Sequence, residues 1–186
     1  MMRVRMTRRS LVECLAFGAA LPSALAGDAE PEVSIVEFND AGERTGVVRV
    51  KKVVHTEAEW RKLLTLQQFY VTRKASSDLA YYGSYFKLHD AGIYRCICCG
   101  TAVFSSETKF ESKSGFPCFS APIAEENIRT HLDLAEEPKR IEVLCKRCDA
   151  HLGYEYNDGP EPTQLRYAVN QSALKFVAIK KSTGGA

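Results

Sequence analysis

Alternating apolar and polar residues mark the first patterned part of this 186-residue chain. Residues 33–38 and 46–54 both alternate with a period of two, which is typical of half-buried strands. The turn-forming run Asn-Asp-Ala-Gly at residues 39–42 lies between them, so the pattern predicts a strand pair. The pair could be an added edge hairpin or part of a flexible stalk, and the pattern does not decide between them.

Two helix-start signals follow directly. Thr56 and Thr65 each precede a Glu or Gln by three residues, which is the spacing of a capping box. After Thr56, the apolar residues Trp60, Leu63 and Leu64 lie on one helical face. The pattern predicts two short helices, with Trp60 as a core residue.

Beyond residue 94 the apolar residues fall into short runs separated by Gly, Pro and Asp. Runs rich in β-branched and aromatic residues favour strands, and these separators favour tight turns. Strands are predicted at residues 102–104, 140–144, 153–156, 164–169 and 174–179. The predicted fold class is therefore mainly β, with antiparallel sheets packed as a sandwich or open barrel and short helices in the N-terminal part.

The first 26 residues have the features of an export signal. Four arginines precede an apolar run at residues 11–21, and residues 24–26 form a small-x-small cleavage site. The run is too short to span a bilayer, so we expect no membrane span in the mature chain. The pair Arg8-Arg9 resembles a twin-arginine signal, although a general secretory signal is also compatible. We therefore expect an exported protein of the bacterial periplasm or cell envelope.

Removing this signal changes the charge balance. Without its four arginines and one glutamate, the 25 basic and 23 acidic residues of the chain become 21 and 22. No basic block lies elsewhere, so we expect neither nucleic acid nor an anionic membrane surface as a partner.

Two C-x-x-C pairs form the candidate metal site, Cys96 with Cys99 and Cys145 with Cys148. Two thiolates from each of two tight turns can close a tetrahedral zinc site without an open position, so the metal would be structural. Six cysteines lie beyond the signal, and an even count in an exported protein also permits disulfides. The spacing favours zinc, with Cys98 as a bystander.

Several motifs in one order resemble the methionine sulfoxide reductase B family. They are KFESKSGFPCF at 109–119, RIEVLC at 140–145, HLGY at 151–154, DGP at 158–160 and LRYAVN at 165–170. The resemblance implies a thiol-dependent reduction of peptide methionine-(R)-sulfoxide and a structural zinc. It covers residues 56–177, and the other segments are the export signal (1–26), a linker with the possible hairpin (27–55) and a tail (178–186).

Three positions depart from the pattern that this resemblance implies. The position of the nucleophilic cysteine is Ala168, and the tryptophan that packs against the substrate methyl group is Phe116. The histidine that assists protonation of the sulfoxide oxygen is Tyr154. Because a methyl group cannot attack sulfur, we expect a pseudoenzyme whose reductase activity is absent or weak.

The resemblance also implies a substrate pocket, formed by Phe116, His151, Tyr154, Arg166 and Asn170. His151 could equally be a structural histidine. Cys118 could be a small buried residue, or a displaced nucleophile or redox thiol in a residual or rewired reductase. A third possibility is a zinc-stabilised peptide-binding or scaffold domain. The expected partner is a peptide containing methionine or its sulfoxide, with a thioredoxin-like reductant if the protein is active, and we expect a monomer.

Overall fold

A computed structural model describes residues 31–134 and 139–179, which form three antiparallel sheets and two α-helices. The predicted export signal and most of the predicted tail lie outside the described residues. The helices are α1 (Glu57–Leu63) and α2 (Leu66–Lys74). The strands are β1 (Glu32–Phe38), β2 (Arg44–Lys51), β3 (Gly92–Cys96), β4 (Ala102–Ser105), β5 (Lys109–Phe110), β6 (Cys118–Phe119), β7 (Ile128–Asp133), β8 (Arg140–Cys145), β9 (His151–Tyr156), β10 (Arg166–Val169) and β11 (Leu174–Ala178). Within the described ranges, no helix is both long and apolar enough to cross a membrane.

The largest sheet has six strands in the order β5-β6-β10-β9-β8-β7. A three-stranded sheet has the order β11-β3-β4, and β1 and β2 form a separate hairpin. Neighbouring strands are antiparallel throughout. The prediction of a mainly β, antiparallel fold with short N-terminal helices is confirmed, and the sheets of the described residues remain open rather than closing into a barrel.

The six-stranded and three-stranded sheets share one hydrophobic core. Phe104 of β4 stacks on Phe119 of β6, with ring centroids 4.5 Å apart, and Tyr94 of β3 meets Phe119 edge-on at 4.9 Å. All three side chains are fully buried, and such aromatic pairs contribute about 0.5–1.5 kcal/mol each beyond their buried area. This packing fixes β6 relative to β3, which ends at the first cysteine pair.

Both predicted capping boxes are present. Thr56 begins α1 with a reciprocal pair of hydrogen bonds to Glu59, and Thr65 begins α2 with the same pair to Gln68. Trp60 is buried against Leu64 and Phe69 in a second apolar cluster, which confirms its prediction as a core residue.

The β1–β2 hairpin lies against the body of the protein. Val36 of β1 donates its N–H to Asn127 Oδ1 over 2.7 Å, and Asn127 Nδ2 donates to the carbonyls of Val36 (2.8 Å) and Ala102 (2.7 Å). The side chain of Asn127 is fully buried. One amide therefore pairs with the outer edge of β1 as a neighbouring strand would, and joins the hairpin to β4.

Candidate functional site

Four cysteine thiols meet between the two C-x-x-C turns, and their Sγ atoms all lie within 4.8 Å of one another. The Sγ atoms of Cys96 and Cys148 are 3.6 Å apart, and those of Cys99 and Cys145 are 3.5 Å apart. A disulfide needs about 2.05 Å, whereas four Zn–S bonds near 2.3 Å place the sulfurs about 3.8 Å apart. The described cysteines are free thiols. The cluster therefore fits zinc, as predicted, and does not fit disulfides.

The backbone explains why each pair converges. The N–H of Gly100 donates to the carbonyl of Cys96 over 2.8 Å, and the N–H of Asp149 donates to that of Cys145 over 2.9 Å. Gly100 and Asp149 both have positive φ, at 75° and 54°. The two turns are thus built alike, and each directs two thiols to the same point. Cys98 lies outside the group of four.

A cavity of about 330 Å³ lies over β9 and β10. It brings together four of the five predicted pocket residues, which are Phe116, Tyr154, Arg166 and Asn170, with Ala168 among them. The remaining lining residues are Ser77, Ser114, Arg140, Gly153 and Tyr156. His151 does not line this cavity.

Ala168 sits in a row of side chains that crosses the sheet. Its register partners are Cys118 on β6 and Tyr154 on β9, and Tyr154 in turn pairs with Glu142 on β8. Directly opposed residues of antiparallel strands point to the same face, with Cβ atoms about 4.5–5.5 Å apart. The methyl group of Ala168, at the predicted nucleophile position, is therefore flanked by a thiol on one side and a phenol on the other.

The thiol of Cys118 is nevertheless separated from the cavity. Its side chain is fully buried, and its Sγ lies 3.0 Å from Ser112 Oγ and 3.4 Å from Ser114 Oγ. Ser114 lines the cavity and Cys118 does not. Cys118 thus lies behind Ser114, which forms part of the cavity wall. No thiol of the described residues lines the cavity.

Two arginines give the cavity its electrostatic character. Arg166 donates from Nε and Nη2 to the carboxylate of Asp158, over 2.7 and 2.9 Å. This pair raises the pKa of Arg166 and lowers the pKa of Asp158. The guanidinium of Arg166 lies 4.4 Å from the ring centroid of Tyr156, and that of Arg140 lies 4.1 Å from the ring centroid of Tyr154.

Comparison with known proteins identifies the family. The SelR domain profile matches residues 64–178. The chain is 43% identical to the peptide methionine sulfoxide reductase MsrB of Herminiimonas arsenicoxydans over 128 residues, which cover 69% of this chain and 93% of that protein. The chain belongs to the MsrB family.

Further relatives give the same result across a wide range of organisms. The MsrB of Pseudomonas aeruginosa is 46% identical over 118 residues, covering 63% of this chain and 89% of the relative. The chloroplastic peptide methionine sulfoxide reductase B1 of Arabidopsis thaliana is 44% identical over 128 residues, covering 68% of this chain and 63% of the relative. The docked hairpin at Glu32–Lys51 precedes the part that matches the SelR profile.

His151 supports the MsrB-type pocket from behind. It is only 2% exposed, its Nδ1 lies 2.7 Å from Glu142 Oε1, and its ring meets that of Tyr154 edge-on at 5.1 Å. Burial lowers the pKa of His151 more than Glu142 raises it. Because a carboxylate oxygen accepts, Nδ1 donates its hydrogen to Glu142, and the buried Nε2 makes no hydrogen bond within the described residues.

Asn170 uses its amide to build the cavity wall. Its Oδ1 accepts from the backbone N–H of Asp78 over 2.8 Å, and its Nδ2 donates to the carbonyl of Leu152 over 3.3 Å. The carboxylate of Asp78 accepts from both the N–H and the hydroxyl of Ser172. These bonds clamp the loop that carries Ser77, so Asn170 both lines the MsrB-type cavity and positions one of its sides.

Five lining residues were not among the predicted pocket residues, namely Ser77, Ser114, Arg140, Gly153 and Tyr156. Tyr156 lies two positions after Tyr154 on β9, and Arg140 lies two positions before Glu142 on β8, so strand periodicity places both on the pocket face. This signal was available once the strands were assigned. Ser77 lies in an irregular loop, for which the sequence carries no comparable signal.

Proposed function

We propose that this MsrB-family protein binds peptides by enclosing a methionine-type side chain, and that it has lost most or all of its ability to reduce methionine-(R)-sulfoxide. The observation that carries the proposal is the methyl group of Ala168, which stands between Cys118 and Tyr154 where the reaction needs a thiolate. The nearest sulfur, Cys118 Sγ, is behind the cavity wall. The site retains a pocket and lacks an attacking group.

Retention of the cavity supports a binding role. About 330 Å³ lined by Phe116, Tyr154 and Tyr156 is within the usual size range of ligand pockets and can enclose a long, unbranched side chain. The clamp from Asn170 to Asp78 holds one wall in place. A domain that served only as a scaffold would need neither an open cavity nor a cavity wall held in place by these hydrogen bonds.

The test combines turnover and binding on the purified, zinc-loaded protein. Peptides carrying the R or the S sulfoxide are incubated with dithiothreitol, and methionine formation is measured by mass spectrometry. We expect binding by fluorescence anisotropy, with R-sulfoxide turnover at least about 10³-fold below that of the Pseudomonas aeruginosa MsrB, because removing a nucleophile can cost up to about 10⁶ in kcat. Turnover comparable to that relative, or no binding of any peptide, would contradict the proposal.

A second candidate is a rewired reductase that uses Cys118, and it is favoured by the direct opposition of Cys118 and Ala168 across β6 and β10. The Cys118 thiolate would take the sulfoxide oxygen together with one proton from solvent and become a sulfenic acid, while the substrate becomes methionine. A thioredoxin-like dithiol would then reduce the sulfenic acid to the thiol and release water. In this case the isosteric change Cys118→Ser abolishes R-sulfoxide turnover, whereas under the first proposal it changes nothing measurable.

We also propose export to the cell envelope and a monomeric state. The arginines, apolar run and small-x-small site in residues 1–26 support export. Cell fractionation followed by N-terminal sequencing is expected to find a mature chain that begins at Gly27 in the envelope fraction. A full-length chain in the cytoplasm would contradict this proposal.

A further inference from the structure

The β1–β2 hairpin contacts both turns that carry the four thiols. These are the first turn, at residues 96–100, and the second turn, at residues 145–149. The hairpin precedes the part of the chain that matches the SelR profile, and none of its residues lines the cavity over β9 and β10. Its position against the metal site is therefore a feature that the proposed function does not use.

The loop between β1 and β2 is fastened to the first turn by Arg95. This residue directly precedes Cys96. Its Nη2 donates to the carbonyl of Phe38 over 2.8 Å and to Asp40 Oδ1 over 2.9 Å. Its Nη1 donates to the carbonyl of Gly100, at the far end of the turn, over 3.3 Å. One guanidinium thus joins the tip of the hairpin to the backbone of the first turn.

The opposite end of the hairpin is fastened to the second turn. The N–H of Val53, two residues after β2, donates to the carbonyl of Arg147 over 2.9 Å. The ammonium of Lys52 pairs with the carboxylate of Asp149, the positive-φ residue that closes this turn. The side chains of Arg95 and Lys52 are only 17% and 21% exposed, and partly buried charge pairs are screened less than exposed ones. The hairpin therefore reaches from one turn to the other.

Asn127 adds a link at the middle of the hairpin. Its side chain joins Val36 of β1 to Ala102, the residue at which β4 begins after the first turn. Its own carbonyl accepts from the N–H of Lys146, which lies between the two cysteines of the second turn, over 3.0 Å. A single residue thus contacts the hairpin and the backbone beside both cysteine pairs.

The four thiols are unequally covered. Cys96, Cys145 and Cys148 are at most 2% exposed, whereas Cys99 is only partly buried. Cys99 lines a cleft of about 360 Å³, and residues 35–39 of the hairpin line the same cleft. The hairpin therefore forms one side of the most direct approach from solvent to a ligand sulfur.

We propose that the β1–β2 hairpin is a retaining strap for the zinc, and that release of the metal requires the hairpin to lift from the two turns. Release needs either the turns to separate or a competing ligand to reach a sulfur. The docked hairpin opposes both, because it joins the turns and narrows the approach to Cys99. Local openings of a few contacts occur at lower free energy than global unfolding, so lifting of the strap sets the rate of release.

The experiment measures zinc release from the full chain. The zinc-loaded protein is mixed with an excess of a chromophoric chelator, and the first-order rate is followed by absorbance. Asp40→Ala combined with Lys52→Met removes the carboxylate that meets Arg95 and the ammonium that meets Asp149, while both turns keep their sequence. We expect release about threefold to thirtyfold faster, since weakening two such contacts shifts a local opening by a factor of this order.

A second double variant is the matched control. Glu32 and Arg49 form an exposed pair within the same hairpin, with Arg49 Nη2 3.3 Å from Glu32 Oε2. Glu32→Ala combined with Arg49→Met likewise removes one acidic and one basic residue, and it removes no contact to either turn. Its release rate should stay within about twofold of the unchanged chain, because exposed pairs contribute little. Equal acceleration in both double variants would attribute the effect to lost charge and overturn the proposal.

Hydrogen exchange and unfolding kinetics separate a strap from general stabilisation. In the Asp40→Ala, Lys52→Met variant, exchange at the Val36 amide should accelerate while exchange in β9 stays unchanged. The global unfolding rate, followed by the fluorescence of Trp60, should rise by less than the rate of zinc release. An unchanged release rate, or release and global unfolding accelerated by the same factor, would overturn the proposal. If the double variant does not fold, Lys52→Met alone should accelerate release about threefold, and an unchanged rate would again overturn it.

Discussion

At the level of single residues, the proposed function depends most on Ala168. Its neighbours across the sheet are Cys118 and Tyr154, so a side chain placed at position 168 projects between them. Under the proposed function, a thiol placed there supplies the attacking group but leaves unchanged the predicted acid position, Tyr154, and the predicted methyl-binding position, Phe116. The chemistry needs attack on sulfur and protonation of the departing oxygen together, and positioned acid catalysis contributes about 10²–10⁴-fold.

We predict that Ala168→Cys alone gives at most weak activity on the R-sulfoxide. Phenols, with an ordinary pKa of about 10, are weaker acids near neutrality than imidazolium, with a pKa near 6.5. The triple variant Ala168→Cys, Tyr154→His, Phe116→Trp should exceed the single variant by more than about tenfold in kcat/KM, measured on an R-sulfoxide peptide with dithiothreitol. Ala168→Ser is the control and should be inactive. Equal rates for the single and triple variants would show that Tyr154 already serves as the acid.

The sequence motifs identified which residues surround the pocket better than they identified what each side chain does. Phe116, Tyr154 and Arg166 line the cavity. Tyr154 and Arg166 lie on the adjacent strands β9 and β10, and Phe116 lies in the turn before β6. His151 and Asn170 are each 2% exposed. His151 forms a hydrogen bond with Glu142, and Asn170 forms hydrogen bonds with the backbone of Asp78 and of Leu152. A motif cannot reveal that a polar atom already has a partner inside the fold.

At the level of elements, the β1–β2 hairpin depends on one buried amide. Asn127 pairs with both the N–H and the C=O of Val36 and with the C=O of Ala102. Alternation predicted the two strands, but the choice between a docked hairpin and a stalk depends on Asn127, which is 91 positions away from Val36. The alternation of apolar and polar residues carries no information about a contact between residues so far apart in the sequence.

We predict that Asn127→Ala lowers the free energy of unfolding by about 2–4 kcal/mol, because it leaves buried backbone groups of Val36 and Ala102 without partners. For a chain of this size the melting temperature should fall by roughly 5–15 °C. Hydrogen exchange at the Val36 amide should accelerate more than exchange in β9. Asn157→Ala, at an exposed site, is the matched control and should leave the melting temperature within about 2 °C. If exchange accelerates equally in both regions, Asn127 stabilises the whole domain rather than the docking of the hairpin.

Local signals explain which elements the sequence could and could not predict. The capping boxes at Thr56 and Thr65 predicted both helices, since reciprocal hydrogen bonds need only residues three apart. Strand β7 (Ile128–Asp133) was not predicted. Its four central residues are exposed at the edge of the sheet, so it has no alternation of apolar and polar side chains to detect.

At the level of the whole molecule, the thiol cluster links distant parts of the chain. Cys96 ends β3 of the three-stranded sheet and Cys145 ends β8 of the six-stranded sheet, while Cys99 and Cys148 lie in the turns that follow. A metal bound here joins the two sheets at one end, while the aromatic core joins them in the middle. The spacing of the C-x-x-C pairs favoured this site over disulfides, because two thiolates from each of two tight turns can close a tetrahedral zinc site.

We therefore predict one zinc per chain by elemental analysis, held until the fold opens. At a free zinc concentration about 1,000 times the dissociation constant, the metal stabilises the fold by about 4 kcal/mol, so stripping it with a strong chelator should lower the melting temperature by roughly 8–16 °C. Adjacent cysteines give a matched pair of variants. Cys99→Ser removes a ligand and should lose the zinc, whereas Cys98→Ser, outside the group of four, should retain it. If both variants lost zinc equally, Cys98 would be part of the ligand set and the geometry of the cluster would have been misassigned.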